Sequence, residues 1–492
     1  MAGQKSLKLN FIMNAILTMS SFIFPLITFP YVSRILLPEG TGKVSFATSV
    51  ISYFAMFAQL GIPTYGIRAC AQVRDDQEEL TRTTHEIFII NLIMTILAYA
   101  VFGIALVTVP RLQQDKTLFL IVSTTLIFNA VGMEWLYKAL EQYTYITVRS
   151  IIFKFIALIA MFVLIHEKSD YVIYGGISIF AASASNVFNF VYAHKYVGMK
   201  PIGEYNFKRH LKPIAVFFAM SCATTVYTNL DTVMLGFMKT DTDVGYYNAA
   251  VKIKNILVSV VSSLGTVLLP RASYYVEHDM LNEFKRITSK AINFVWLVAP
   301  PLVVYFILYA KEGIVLLSGD AYLGSVSAMQ LIMPTVFLIG LSGVMGIQIL
   351  VPLGRERIVL HSEIAGAIVD LIINWMFIPS MASVGAAIGT LVAEAVVTVW
   401  QFVALRDTVT VAYREVHYLP IIIGVLLGGA ASVWVKSLCW MEFPALALSA
   451  ILFFGVYALV LTLAKEPMTM EIEKYALGKL RRRFKRADHR QN

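Results

Sequence analysis

Residues 42–72, GKVSFATSVISYFAMFAQLGIPTYGIRACAQ, and residues 245–275, GYYNAAVKIKNILVSVVSSLGTVLLPRASYY, read as two copies of one helical unit, 203 residues apart. In each, Gly42 or Gly245 opens an apolar helix rich in small residues, and a Leu-Gly pair follows in its second half. Arg68 or Arg271 then closes it. A weaker echo relates Gly175 and Gly176 to Gly385 and Ala386. Paired Arg and Gly positions do not follow from hydrophobicity alone, so the chain reads as six helices plus six in the same orientation. Parallel repeats of this kind place a transported ligand between the halves, near the middle of the membrane.

Working outward from the repeat, charge-free stretches long enough to cross a hydrocarbon core of ~30 Å recur along the chain. Of 492 residues, 58% are hydrophobic and 14% charged, against about 25% charged in an ordinary soluble domain. Splitting at the polar loops predicts an all-α integral membrane protein of about fourteen transmembrane helices. They lie near 9–34, 43–68, 84–109, 117–140, 146–166, 171–194, 211–237, 243–270, 288–310, 325–352, 358–379, 383–405, 416–436 and 443–464. The first is too long, and too many follow it, for a cleaved signal peptide. The repeat divides them into an N-terminal six-helix lobe, 1–205, a C-terminal lobe, 206–408, helices thirteen and fourteen, 409–464, and a basic tail, 465–492.

Orientation follows from the positive-inside rule. With the N-terminus inside, the inner loops and ends hold 29 of the 40 Lys and Arg and the outer loops eight. Both termini are therefore expected in the cytoplasm. The net charge of +9 belongs to this asymmetry and to the tail, not to a nucleic-acid-binding face. In the tail, Arg481, Arg482, Arg483, Lys485 and Arg486 follow Met470, Ile472, Leu477 and Leu480, which suits either a short amphipathic helix on anionic lipid or a disordered basic end.

The three cysteines, Cys70, Cys222 and Cys439, form no disulfide framework or metal pattern, and no cofactor is implied. The longest polar connections, between helices six and seven and helices eight and nine, are expected at about 15 to 20 residues, too short for a catalytic domain. No glycine-rich phosphate loop with its Lys and Ser or Thr is present. An enzyme is not indicated. A channel, a transporter or a membrane scaffold remains.

Ionisable groups inside the bilayer cost about 2.5 to 3.5 kcal/mol each on insertion scales, so those present usually face a cavity or a partner. Glu134, Lys154, Asp231, Lys252, Lys254, Asp370 and Glu394 fall within the expected spans, and Arg34, Arg68, Lys138, Arg149, Arg271 and Lys290 at or near their ends. Glu134, Lys138 and Glu141 share a helical face, as do Asp370 and Asn374, whereas Lys252 and Lys254 point about 200° apart. The set leans cationic, which suits a phosphate, a pyrophosphate or an acidic sugar, where a cation channel leans the other way. Tyr and Trp near these segments, such as Trp135, Tyr143, Tyr145, Tyr227, Tyr246 and Tyr247, suit sugar rings or an interfacial belt. Pro25 and Pro30 in the first helix make it the expected hinge, with Pro63, Pro300, Pro301 and Pro334 as further interruptions.

At this point several segments become recognisable. NLDTVMLG (229–236), VGYYNAAVKI (244–253), VLLPRASYY (267–275), GMEWLYKALEQYTYITVRSIIFK (132–154), ILVPLGRER (349–357) and VGAAIGTLVAEAVV (384–397) resemble bacterial oligosaccharide flippases of the Wzx type, over the chain up to about 464. SMASVGAA (380–387) departs from the family's usual Lys and extra Gly. The resemblance implies the multidrug, oligosaccharidyl-lipid and polysaccharide exporter superfamily, with two six-helix lobes opening alternately. It implies a substrate of oligosaccharide repeat units linked through pyrophosphate to undecaprenol, flipped across a bacterial cytoplasmic (inner) membrane for capsule, O-antigen or exopolysaccharide. Membrane lipids, a polymerase and other assembly proteins are the implied partners. The cationic candidates for the head group are Arg68, Arg149, Arg271, Lys252, Lys254, Lys154, Lys138 and Arg34; Asp231, Glu134, Asp370 and Glu394 are the candidates for ion coupling or cavity lining. The alternatives are a cation-coupled multidrug exporter or a peptidoglycan-precursor flippase of the same superfamily, and a non-transporting scaffold.

Overall fold

A computed structural model of the chain describes residues 7–438, 441–471 and 473–474. Cys439 and the tail beyond 474, with its expected amphipathic helix, lie outside the described residues. Among those residues every regular element is helical.

Among the described residues, eleven stretches are long and apolar enough to cross a membrane. One of them, Ile12–Gln72, crosses twice, because Leu37 (φ 58°, ψ 178°) breaks the helix Leu7–Gln59 at the first loop. The chain reverses there, as neighbouring side chains show. Thr147 donates to the Met13 carbonyl and Tyr31 to that of Ile165, so residues 10–31 run alongside the fifth span, Tyr143–Leu164, in the same direction. Phe46 packs on Phe119, Phe54 on Phe102, and the Ala58 carbonyl accepts from Asn91, so residues 46–58 run antiparallel to the third span, Gln77–Thr108. Lys116–Gly132, prolonged by Glu134–Ala139 after a left-handed break at Met133, is the fourth span. Asp241–Glu277 is the eighth, long enough to cross although Lys252 and Lys254 interrupt its apolar run. With these the expected fourteen spans are all present.

The remaining spans are the sixth (Tyr171–Ile179, a π-helical Phe180–Ala184, and Asn186–Ala193), the seventh (Lys208–Met238) and the ninth (Leu281–Leu308). The tenth joins Ser325–Ile332, Pro334–Gly343 and a π-helical Val344–Leu350. Glu356–Met381, Ser383–Ala404, Tyr418–Val433 and Glu442–Leu463 complete the set. Side chains such as Ile104, Val107, Val163, Leu426 and Ile451, at 61 to 70% exposure or thereabouts, belong to the lipid-facing surface. The last two spans pack closely because Gly424 and Gly428 bring them against Tyr457 and the Phe453 carbonyl.

Three sequence expectations are corrected. Residues 271–287 are not a long loop: the eighth helix runs on to Glu277 and the ninth begins at Leu281, since an amphipathic segment outside the bilayer continues a helix as readily as it ends one. Glu141 does not share a face with Glu134 and Lys138. The helix ends at Ala139, Glu141 adopts φ 55°, and its carboxylate meets Arg74 at 3.1 Å. The first helix is continuous through Pro25 and Pro30, and its discontinuity is at Leu37.

The chain forms two compact units. One comprises residues 1–248, 317–322 and 370–386, and the other 249–316, 323–369 and 387–492. Within the first unit, the end carrying the first loop is closed by a reciprocal contact. A Cβ on Gly42 would lie 1.8 Å from the Asp241 carbonyl oxygen, and one on Gly245 would lie 2.0 Å from that of Pro38. The two contacts are related by the offset of the repeat, as a two-fold axis between the copies requires. Around them Arg111 forms an ion pair with Asp241, donates to the Gly236 carbonyl at 2.9 Å and covers the Phe46 ring at 4.8 Å. Thr41 and the Tyr322 hydroxyl are 2.7 Å apart.

Candidate functional site

The break at Met133 turns the chain so that Glu134 starts a new turn of helix facing the fifth span. Glu134 pairs with Lys138 at 2.8 Å and lies 3.8 Å from Arg149. Arg149, 8% exposed, also donates to the side-chain oxygens of Asn189 and Asn186, and its guanidinium stands 5.8 Å from the Tyr145 ring. Asn189 in turn donates to the Gly132 carbonyl at 2.7 Å. Tyr145 is stacked between Tyr137 and Tyr192, with ring centroids 5.2 and 4.7 Å away. Arg149 is thus held on several sides by the protein itself, and these tyrosine faces are largely occupied by one another.

Lys154 is placed differently. From the middle of the fifth span it donates to the hydroxyls of Ser20 and Ser21 on the first, at 2.8 and 2.9 Å. Beside it Asn14, Thr18 and Ser21, spaced i, i+4, i+7, form an exposed polar face on an otherwise apolar helix. The seventh span presents Ser221, Thr224 and Thr228 on one face at i, i+3, i+7. In the second unit the eighth span carries Asn255, Ser259 and Ser262 at i, i+4, i+7. Most of these hydroxyls donate to their own helix: Thr18 to Asn14, Thr228 to Thr224 and Ser259 to Ile256. Their lone pairs stay available. Such faces offer many weak hydrogen bonds and little charge. Reading only ionisable residues misses them, although the three- and four-residue spacing of Ser, Thr and Asn was visible in the sequence.

Asp231, Asp370 and Asn374 form a buried group in the first unit, 6%, 1% and 0% exposed. Asn374 donates to Asp231 at 2.6 Å, and the Tyr247 hydroxyl donates to the other carboxylate oxygen. Asn374 and Tyr247 thus hold Asp231 from two sides, and Asp370 stands one helical turn before Asn374 on the same face. Glu394, also buried, and the half-buried Lys252 and Lys254 belong to the second unit. Arg68 and Arg271 are exposed at the far ends of the repeated helices, and Arg34 donates to the Pro30 and Leu317 carbonyls near the first loop.

A further network escaped the sequence reading altogether. Glu86, 0% exposed, accepts from Arg209 and meets His210 Nε2 at 2.6 Å. His210 Nδ1 shares a hydrogen bond with the Tyr65 hydroxyl, and Arg209 also pairs with Glu79. This ties the second and third spans to the start of the seventh. Among the described residues no group of three His, Cys, Asp or Glu could hold a metal ion.

The family profile described as "Polysaccharide biosynthesis protein" matches residues 7–276. A protein of Escherichia coli K12, provisionally named an O-antigen transporter, is 24% identical over 82% of this chain and 97% of its own length. One of the same provisional name from Shigella dysenteriae is 24% identical over 79% of this chain and 97% of its own. Among solved structures, the lipid II flippase MurJ in an inward closed conformation superposes with a TM-score of 0.72 over 93% of this chain and 99% of that one, at 13% identity. A multidrug-resistance MATE family transporter of the MOP superfamily, in an inward-facing conformation, does so with 0.61 over 82% and 99%, also at 13%. The fold is therefore that of this superfamily, and the resemblance carried by the segments at 132–154, 229–236 and 244–253 is borne out.

Proposed function

Because the chain belongs to the polysaccharide biosynthesis protein family, we propose that it flips lipid-linked oligosaccharide repeat units across a bacterial inner membrane by alternating access, with both termini in the cytoplasm. The observation that carries this reading is the pairing of hydroxyl- and amide-bearing faces on the first and seventh spans with the Lys154 ammonium between the first and the fifth. Hydroxyl faces suit sugars, and a cation suits the phosphate that joins them to a polyprenyl chain. Undecaprenyl pyrophosphate is the carrier this chemistry favours, and a cell-surface polymer such as capsule or O-antigen the product.

In this reading the repeat halves, 1–205 and 206–408, are the two moving lobes, followed by helices thirteen and fourteen, 409–464, and the tail, 465–492. Arg68, Arg271, Lys252 and Lys254, with Lys154, attract the anionic head group. Arg149, Lys138 and Glu134 hold the fifth and sixth spans in place. Asp231 and Asp370, with Asn374, take a coupling cation or proton, and Glu394 lines the path. A polymerase that consumes the flipped unit is the natural partner.

The test is flipping in proteoliposomes, read as protection of a polyprenyl-pyrophosphate oligosaccharide from an added glycosidase. Lys154→Met should lower the rate at least tenfold in correctly folded protein, and Asp231→Asn should remove its dependence on an ion gradient. Wild-type rates in Lys154→Met would overturn the assignment of Lys154, and no flipping by the wild type would overturn the function.

A further inference from the structure

The network around Glu86 extends along the first turns of the third span. Both carboxylate oxygens of Glu86 are used. One accepts from the Asn206 backbone N–H at 2.5 Å; the other accepts from Arg209 Nε at 2.9 Å and meets His210 Nε2 at 2.6 Å. Arg209 also donates to the Thr83 hydroxyl at 3.1 Å and forms an ion pair with Glu79. Glu79, Thr83 and Glu86, at i, i+4, i+7, thus present one face of the third span to the start of the seventh. The neighbouring face carries Gln77, Thr81 and His85 and holds the connection that leads there. Gln77 donates to the Tyr196 carbonyl at 2.6 Å, and Thr81 accepts from the Gly198 N–H at 3.2 Å. His85 bonds the Gly198 carbonyl at 2.7 Å and the Tyr205 hydroxyl at 3.1 Å.

The second span adds its own ties. Tyr65 bonds His210 at 2.5 Å, and a Cβ on Gly61 would lie 2.5 Å from the Phe217 carbonyl carbon. Phe217 and Phe218 pack in turn on the rings of Tyr65 and Phe57. Residues 196–218 are therefore fastened to the second and third spans at 196, 198, 205, 206, 209, 210 and 217. The bonds share acceptors on one rigid helix, so parting the start of the seventh span from the third breaks them together. Several are charge-assisted and converge on a carboxylate that is 0% exposed, the kind of group that is costly to strip of its partners. At its far end the seventh span leads instead into the contact of Gly42 with Asp241 and of Gly245 with Pro38, a fit of glycines against backbone.

We propose that the Glu86 clasp is a fixed anchor: residues 196–218 stay on the second and third spans throughout transport, while the contact at the far end of the seventh span opens. The proposal rests on the flippase reading and adds a fixed point to it, since the start of the second repeat half then travels with the first. A latch that opens in the cycle would be the opposite assignment, and covalent locking separates the two.

The full-length protein, freed of native cysteines, would be assayed for flipping in proteoliposomes. Thr81→Cys with Gly198→Cys is the first lock, because a Cβ on Gly198 would stand 3.5 Å from the Thr81 methyl, within reach of a disulfide. Glu78→Cys with Lys208→Cys, both exposed beside the clasp and joined by a short bismaleimide, is the second. Each should flip at the same rate locked and unlocked. The same reagent on Glu39→Cys with Thr240→Cys, across the far contact, should abolish flipping. Glu86→Gln, which keeps the shape and removes the charge, should slow flipping, and the Thr81–Gly198 disulfide should restore it. Loss of flipping in either clasp lock, recovered on reduction of the disulfide, would make the clasp a latch and overturn the anchor while leaving the flippase reading intact. Failure of the disulfide to restore Glu86→Gln would overturn it too. No flipping by the wild type would overturn the flippase reading, and the anchor with it.

Discussion

Gly42→Val is the substitution whose consequence the geometry defines most closely. The nearest atoms to a Cβ at Gly42 are all backbone: the Asp241 carbonyl oxygen at 1.8 Å, its carbon at 2.8 Å and the Gly245 nitrogen at 2.9 Å. No rotamer change relieves such a contact. An ordinary contact begins near 3.4 Å, so the two segments must part by about 1.6 Å even for alanine, and further for the branched side chain. Overpacking of this kind typically costs ~1–3 kcal/mol, a ~5- to 150-fold shift of the closed end toward opening. Gly245→Ala meets the Pro38 carbonyl in the same way, so the two substitutions should have similar effects. The double variant should fall short of their sum, because segments already parted by one Cβ have room for the other.

The assay is a distance distribution between spin labels on Glu39→Cys and Thr240→Cys, both exposed and both in the first unit, in a background without native cysteines. The parent protein should give a dominant short distance. Gly42→Val should move most of that population to longer distances and lower the flipping rate, with Gly42→Ala between the two. Gly103→Ala is the control, since a Cβ there meets nothing within 4 Å. An unchanged distribution in Gly42→Val, in protein as stable as the Gly103→Ala control, would refute the view that this glycine contact seals the end.

Arg149→Ala should lower thermal stability by about 3 kcal/mol, as expected when one partner of a buried charged network is removed, whereas Arg68→Ala and Arg271→Ala should lower flipping without lowering stability; melting in detergent separates the two classes. Glu466 accepts from the backbone of Thr469 and Met468 and from Asn293, and although burial opposes ionisation, these bonds hold its carboxyl below the usual range. Its contribution to docking residues 466–471 on the ninth helix is therefore complete above the ordinary glutamate pKa of ~4.3 and lost as pH falls through the lowered one; hydrogen exchange of that segment should rise only in that acid window, and Glu466→Gln should raise it at neutral pH.

The helices were legible because membrane insertion writes itself into composition: a run of apolar residues without charge has few alternatives. The repeat was legible for a different reason, since Gly42 and Gly245 had to stay small in both copies, but their contact with each other's neighbours is visible only once the chain is folded. Charges overstated their own importance. Arg149 looked like a ligand-binding cation, yet its partners Asn186 and Asn189 are uncharged and stand on another span, where no local spacing points to them. Glu86 and His210 are 124 residues apart and sit near span ends, where a charge attracts no notice. The hydroxyl faces were missed because Ser and Thr weigh little in hydropathy, so Asn14, Thr18 and Ser21 pass as tolerated interruptions of an apolar helix.

The closed end also shows why an ion pair need not be the lock. Arg111 and Asp241 are paired there, but Arg111 also donates to the Gly236 carbonyl and covers the Phe46 ring, so it keeps partners when the carboxylate is lost. Asp241→Asn, which keeps the shape and removes the charge, should leave the closed population unchanged at neutral pH, in contrast to Gly42→Val. The same spin-label pair decides the matter: opening in Asp241→Asn as large as in Gly42→Val would make the ion pair the lock. The expected result leaves the fit of two glycines against two backbones as the seal. A contact of that kind forms and releases without a strongly bound charge pair, as the alternating access proposed above requires of an end that opens.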